Sequence, residues 1–259
     1  MLNSGHAIRT DDFTDRKAAM GSPIFQPLYR QIKALLTKSL ISGEWSAGTA
    51  IPSEMELAAR YGVSQGTVRK AIDELAAENI VVRRQGKGTY VATHSEEKVK
   101  LRFLRLVAAD GSKELLDNKL LGCERSKASA EIARLLAIKT GSTVIEIRRL
   151  LLFANKPQIL DRIILPAASF KGVTAERIEA YNGSMYRMYE TLLGIHMVRS
   201  EERLTAVGAD TETAAALRLK VGTPLLSIER VSYTYGDKPM EWRLGLCLTD
   251  DHHYLNHLE

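Results

Sequence analysis

Two short helical patterns separated by only Gly62 and Val63 constrain this chain more than any other feature. Ser53 and Glu56 form the S-x-x-E pattern of a capping box ahead of Leu57, Ala58 and Tyr61, so a helix starts there and Gly62 stops it. Ser64 then offers a second N-cap, and Val68, Ala71, Ile72 and Leu75 supply the buried stripe of a helix that ends near Asn79. Two helices joined by so tight a turn form a helix-turn-helix.

The flanking segments complete a domain. Pro27 opens a helical pattern in which Leu28, Ile32, Leu35, Leu36 and Leu40 recur, and Gly43 ends it. After the helix-turn-helix, Ile80 to Arg84 and Thr89 to Val91 flank Gln85-Gly86-Lys87-Gly88, which predicts a two-stranded wing with glycines free to adopt positive φ. Residues 1–22 are polar, lack an apolar period and read as a disordered leader. A winged helix-turn-helix is therefore expected over 23–92, a charged linker over 93–100 and a second domain over 101–259.

That second domain contains an internal echo. Residues 131–152 and 212–233 each read as a helix, a Lys-x-Gly exit and a strand carrying an arginine, Arg149 in the first and Arg230 in the second. Each is followed by a turn, at Lys156-Pro157 and at Asp237-Lys238-Pro239, and by a further strand-like run. Ser184 is placed to cap a helix over Met185 to Leu193, and Met197 to Ala206 reads as a strand. The expected fold class is α+β, an N-terminal winged helix-turn-helix followed by an α/β domain with a largely antiparallel sheet.

A formal net charge of +5 favours acidic partners such as nucleic acid. Cys123 and Cys247 are too few and too far apart for a disulfide scaffold or thiolate metal site, and no metal or cofactor is expected. Without a long apolar run or a signal-like start, the chain reads as cytoplasmic, with no membrane partner. His252 and His253 read as an exposed terminal cluster rather than a metal site.

The run from Pro27 to Val91, with its PLYRQIKALL, IPSEMELAARYGVSQGTVRKAIDELAAENIV and RRQGKGTYV segments, resembles the DNA-binding domain of the GntR family of bacterial regulators. The second half resembles the UTRA effector-binding module of that family's HutC branch. The residues behind this are Arg149 with Lys156-Pro157, Gly183-Ser184-Met185-Tyr186, Glu202, Pro224-Leu225-Leu226, Pro239-Met240-Glu241 and Asp251-His252-His253-Tyr254. The resemblance implies a chorismate-lyase-like second domain and a homodimeric regulator, a repressor of double-stranded operator DNA whose affinity a small-molecule effector changes. Two rival readings are a ligand-independent architectural DNA binder and a lyase-like enzyme. No P-loop or H-E-x-x-H pattern favours the enzyme.

On the DNA-binding half, Ser64, Gln65, Gly66, Thr67, Arg69 and Lys70 occupy the start of the recognition helix. Arg69 is the residue expected to read guanine, since its forked donors match O6 and N7. Arg60, Lys70, Arg83 and Arg84 are expected at phosphates, and Lys87, between Gly86 and Gly88, at the minor groove. Gln65 stands where many relatives have arginine, so the operator need not follow theirs. Glu54 and Glu56 are read as capping and helix-terminal charge. For the effector, the resemblance implies Arg149, Asp161, Ser184, Glu202 and Glu241. Arg149-Leu150-Leu151 lacks the second arginine of relatives that bind phosphorylated sugars, which leaves an anionic or zwitterionic metabolite, such as a carboxylate or amino acid, at least as suitable.

Overall fold

The computed structural model describes residues 26–93, 105–111 and 116–256. The expected leader over 1–22, the linker beyond Thr93 and the first residues of the second domain lie outside the described residues.

The N-terminal unit follows its caps. Helix α1 spans Leu28–Ile41 and buries Ile32, Leu36 and Leu40. In α2, Glu54–Tyr61, the Ser53 hydroxyl accepts from the Glu56 N–H while the Glu56 carboxylate accepts from the Ser53 N–H at 2.8 Å, so the expected capping box is present in both directions. Gly62 closes the helix at φ +65°, a left-handed conformation that carries no Cβ penalty in glycine. Ser64 caps α3, Gln65–Ala77, whose Val68, Ala71, Ile72 and Leu75 are wholly buried. Strands β1, Val81–Arg84, and β2, Gly88–Val91, form the wing, and an Ala50 bridge to Tyr90 adds a third segment. Truncating fully buried Leu57 or Leu75 to alanine removes core contacts worth about 2–5 kcal/mol.

The C-terminal unit is built on one antiparallel sheet. Its long strands are β4 (Leu116–Lys127), β5 (Thr143–Phe153), β6 (Lys156–Pro166), β7 (Arg199–Gly208), β8 (Pro224–Thr234) and β9 (Lys238–Cys247). Their order is β4-β5-β6-β9-β8-β7, while the short β3 (Leu106–Ala108) pairs with β10 (His252–Tyr254). Helix α4 (Ala130–Leu135) precedes β5, and α7 (Thr211–Leu217) precedes β8. The echo is therefore real and longer than the sequence suggested. Each copy is a strand, a helix and a hairpin: β7 is the strand expected over Met197 to Ala206, β4 is its unanticipated counterpart in the first copy, and the copies meet back to back where β6 pairs with β9.

Strand alternation splits the core between the two faces. Ile145, Ile147, Ile163 and Leu165 face α5 (Ala175–Ala180) and α6 (Met185–Leu193), with Phe170, Met188 and Tyr189 buried between. On the opposite face, α4 of the first copy reaches β9 of the second, and α7 of the second covers β6 of the first. Each copy's helix thus shields the other copy's hairpin, so neither has a complete core alone. No helix among the described residues is long and apolar enough to cross a membrane.

The two units touch. Tyr235, in a 3-10 turn between β8 and β9, joins the buried cluster of Ile32, Leu36 and Leu40, with Val198 packed beside it. Thr93 Oγ1 donates to the Glu190 carboxylate on α6. The His196 ring lies 5.6 Å from the Tyr235 ring, and its Nδ1, 3.8 Å from Glu190, makes no hydrogen bond among the described residues.

Burial lowers the pKa of His196 below its ordinary 6.5, although the Glu190 charge pulls the other way. The unfolded chain then takes up the proton first as pH falls. Stability from this group is complete above about pH 6.5 and is lost through and below it, with a slope of at most about 1.4 kcal/mol per pH unit. Melting curves between pH 7.5 and 5.5 should show the parent losing more stability than His196→Gln. Identical pH dependence in the two proteins would show that His196 does not titrate at this contact.

Candidate nucleic-acid interface and effector site

The exposed start of α3 is organised by one carboxylate. Glu54 Oε2 accepts from Arg69 Nε at 2.9 Å and from Gln65 Nε2 at 3.2 Å, while its Oε1 accepts from Arg83 at 3.0 Å. Burial raises the Glu54 pKa, but the bonds from Arg69, Arg83 and Gln65 outweigh it and hold the carboxyl below its ordinary value. The reading of Glu54 as helix-terminal charge is thus incomplete: it ties α2, α3 and the wing together, while Glu56 completes the capping box of Ser53. A carboxylate so close in sequence to Ser53 gave no sign of partners that only the turn and wing bring near.

The other predicted positions sit on the same unit. Arg69, Gln65, Gly66 and Lys70 are exposed, Ser64 Oγ accepts from the Thr67 N–H at 3.2 Å, and Lys70 Nζ lies 4.1 Å from the Tyr29 ring. Arg60 pairs with Glu44, and Arg83 also donates to Asp73 at 2.7 Å. Arg84 stacks on Tyr90 at 4.4 Å, and Lys87 is exposed between Gly86 and Gly88, both at positive φ. A Cβ added at Gly66 would meet nothing closer than 3.9 Å, so local packing does not require glycine there. Exposed ion pairs such as Arg69 with Glu54 are worth at most about 1 kcal/mol, so phosphates or bases can replace them cheaply.

Of the residues expected at the effector site, Arg149, Asp161 and Glu241 form a buried ionic network with Arg243. Arg149 and Asp161 face each other across β5 and β6, with Nε and a terminal nitrogen at 3.0 and 2.9 Å from Oδ2. Asp161 also lies 3.6 Å from Arg243, and Arg243 donates to Glu241 from Nε at 3.1 Å. Glu241 accepts from Tyr186 at 2.9 Å and from Tyr189 at 3.0 Å, and Tyr186 also meets the Ser232 hydroxyl at 2.8 Å. Glu202 accepts from Arg230 at 2.6 Å and from Tyr254. Burial opposes the Arg243 charge, yet Glu241 and Asp161 keep its pKa well above the ordinary value. Burial first, and Glu241 second, raise both tyrosines, which stay protonated and act as donors.

Two sequence expectations need correction. Ser184 stands at the N-cap of α6 but makes no side-chain cap bond, with φ −73° and ψ 77°. Beside it, Gly183 at φ +65° presents its carbonyl to Arg149 at 2.5 Å, so the chain enters α6 anchored by that arginine rather than by the serine. His252 is buried, with Nδ1 2.8 Å from Gln158 Nε2 and its ring edge-on to Phe153, because β10 pairs with β3; only His253 is exposed.

Sequence reasoning left Arg230, Arg243, Tyr189 and Ser232 out of the site. The echo already put Arg230 in the place of Arg149, and that signal could have found it. Arg243 needed the β6–β9 register. A cleft lined by Leu135, Glu201, Arg203, Glu229, Val231 and Tyr233 includes none of the expected effector residues.

At Gly183, an added Cβ would come 2.2 Å from Asn118 Cγ and would hold the strained left-handed backbone. Gly183→Ala is therefore expected to lower stability by about 1–3 kcal/mol in urea melts. An unchanged midpoint would mean that the α6 entry is not held in this conformation.

Comparison with known proteins agrees with this architecture. Residues 28–91 match the bacterial regulatory proteins of the gntR family, and residues 114–253 match the UTRA domain. The chain is 28% identical over 218 residues to the probable fructoselysine utilization operon transcriptional repressor of Escherichia coli strain K12, covering 83% of this chain and 88% of that protein. It is 28% identical over 235 residues to the mannosyl-D-glycerate transport/metabolism system repressor MngR of the same strain, covering 88% and 95%. The ligand-binding domain of a putative GntR-family regulator from Bordetella bronchiseptica superimposes with a TM-score of 0.59 at 43% identity, covering 61% of this chain and 98% of that one. A winged helix-turn-helix with its cations exposed, joined to a UTRA domain that spans more than half of the chain, makes this protein a member of the GntR family, a DNA-binding transcriptional regulator with an effector-binding domain.

Proposed function

We propose that a homodimer of this chain represses transcription from a near-palindromic operator and releases it when a small anionic or zwitterionic metabolite binds the UTRA domain. The observation that carries the DNA half is the use of Arg69 Nε, and not its terminal nitrogens, to bond Glu54. That leaves the two terminal amino groups for guanine O6 and N7. Gln65, Thr67 and Lys70 flank Arg69 on the recognition helix, while Arg60, Arg83, Arg84 and Lys87 hold phosphates and steer the wing. One recognition helix has a small footprint, so two-fold pairing of protein and operator supplies the rest.

For the effector half, Arg149, Asp161, Ser184, Glu202 and Glu241 are the proposed contacts, now with Arg230, Arg243 and Tyr186. Their charges already satisfy one another, so a ligand carboxylate would take the place of an internal one on an arginine. The relatives named for fructoselysine and for mannosyl-D-glycerate support this class, because both compounds carry a carboxylate. The antiparallel sheet with helices on its faces is compatible with the chorismate-lyase-like layout expected from the family. Helix α6 offers the route to DNA: Tyr186 and Tyr189 bond Glu241, and the adjacent Glu190 holds Thr93 at the end of the winged unit.

Footprinting should show one protected inverted repeat bound by a dimer; a monomer on a single half-site would refute the dimer. Arg69→Ala should cost about 1–3 kcal/mol on that operator and flatten discrimination at one base pair. Lys87→Ala should weaken all sequences evenly and reduce the salt slope by about 1. Equal losses of Arg69→Ala on operator and scrambled DNA would remove it as the reader.

A thermal-shift screen of carboxylate-bearing metabolites should yield a ligand whose affinity falls when operator is bound, by the same factor, about 5- to 150-fold, with which it weakens DNA binding. Tyr186→Phe should weaken that ligand while leaving operator affinity unchanged. Arg149→Ala suits this test poorly, since an Asp161 deprived of its closest partner costs about 3 kcal/mol of stability. Ligand affinity indifferent to operator would exclude an inducer.

A further inference from the structure

Met55 is the most exposed of the large apolar side chains among the described residues, at 69%. It lies in the first turn of α2, between two glutamates whose carboxylates are both turned to protein donors. Glu56 bonds the N–H and hydroxyl of Ser53, and Glu54 bonds Gln65, Arg69 and Arg83. The Glu54 bonds fix the first turn of α2 against the first turn of the recognition helix, and Arg69 and Arg83 offset the Glu54 charge that would otherwise repel a phosphate backbone. The turn can therefore approach DNA, and the side chain it leaves exposed is a thioether.

A thioether has no use for phosphates, being apolar and at most a weak acceptor. The major groove presents one apolar group, the C5-methyl of thymine. A flexible, unbranched Met side chain can settle against it at little conformational cost. The neighbouring Gln65 is of the side-chain type that pairs with adenine N6 and N7, so an adenine and a thymine methyl beside the guanine of Arg69 would be read together.

Resting on the DNA-reading assignment above, we infer that Met55 is a specificity-determining residue that reads a thymine methyl in each half-site of the operator. It adds preference for thymine over cytosine and over uracil, and it acts by apolar contact rather than by charge.

The test uses the full-length dimer and the operator it selects from random duplexes, with each thymine replaced in turn by uracil, which removes only the methyl. In the parent protein, one thymine per half-site should lose about fourfold in affinity. Met55→Ala should bind thymine and uracil alike at that position while keeping the base preference assigned to Arg69. Met55→Leu, still apolar, should retain methyl sensitivity, and Met55→Gln should lose it. The inference is overturned if no thymine is methyl-sensitive, or if Met55→Ala keeps the parent's uracil profile. Loss of discrimination at the guanine in Met55→Ala would overturn it too, since the side chain would then be acting through Arg69. If Arg69→Ala leaves base discrimination intact while the uracil profile still depends on Met55, it is the Arg69 assignment that fails.

Discussion

Asp161 and Arg243 meet across the seam where β6 pairs with β9, and that contact joins the two repeats of the UTRA domain. Charges buried this deeply are costly unless each finds a partner with good geometry. Here Arg149 takes Asp161 on one side of the seam, and Arg243 takes Glu241 on the other. Helix α6 is fastened to both ends of the chain of contacts, by the Gly183 carbonyl to Arg149 and by Tyr186 and Tyr189 to Glu241. The position of that helix, and with it the Glu190 contact to Thr93, follows from how the buried charges are arranged.

The surface network around Glu54 uses the same chemistry at much lower stakes. Arg69 and Arg83 are exposed, so water and salt compete for their carboxylate, and each bond contributes little to stability. Weak bonds suit a surface that must exchange partners. They still orient: Glu54 brings the wing arginine and the recognition-helix arginine to one point, which the backbone alone would not do.

The repeat gives the domain its shape by mutual cover. Because α4 reaches β9 and α7 covers β6, each copy completes the other's core. The arginine of each copy then lies at the same place in its hairpin. Arg149 finds Asp161 on the next strand, whereas Arg230 finds Arg243 there and turns to Glu202 on β7 instead. Two nearly equivalent positions have thereby diverged into different polar environments within one sheet.

The sequence by itself determined the local structure. The capping box at Ser53 and Glu56, the left-handed stop at Gly62, the cap at Ser64 and the glycines of the wing are written in neighbouring residues, and each formed as read. Helix-hairpin periodicity in the second half was equally legible, since alternation and caps act over short distances. Tertiary structure decided which side chains converge. Arg243 came to Asp161 through a strand register, Arg83 to Glu54 through the wing, and Tyr235 to the winged core through a turn far along the chain. It also overruled Ser184 and His252, whose roles depended on the carbonyl that Arg149 captured and on the pairing of β10 with β3. Local rules fix elements because hydrogen bonds and caps are short-ranged; partners of buried charges are set only when distant strands pair and exclude water.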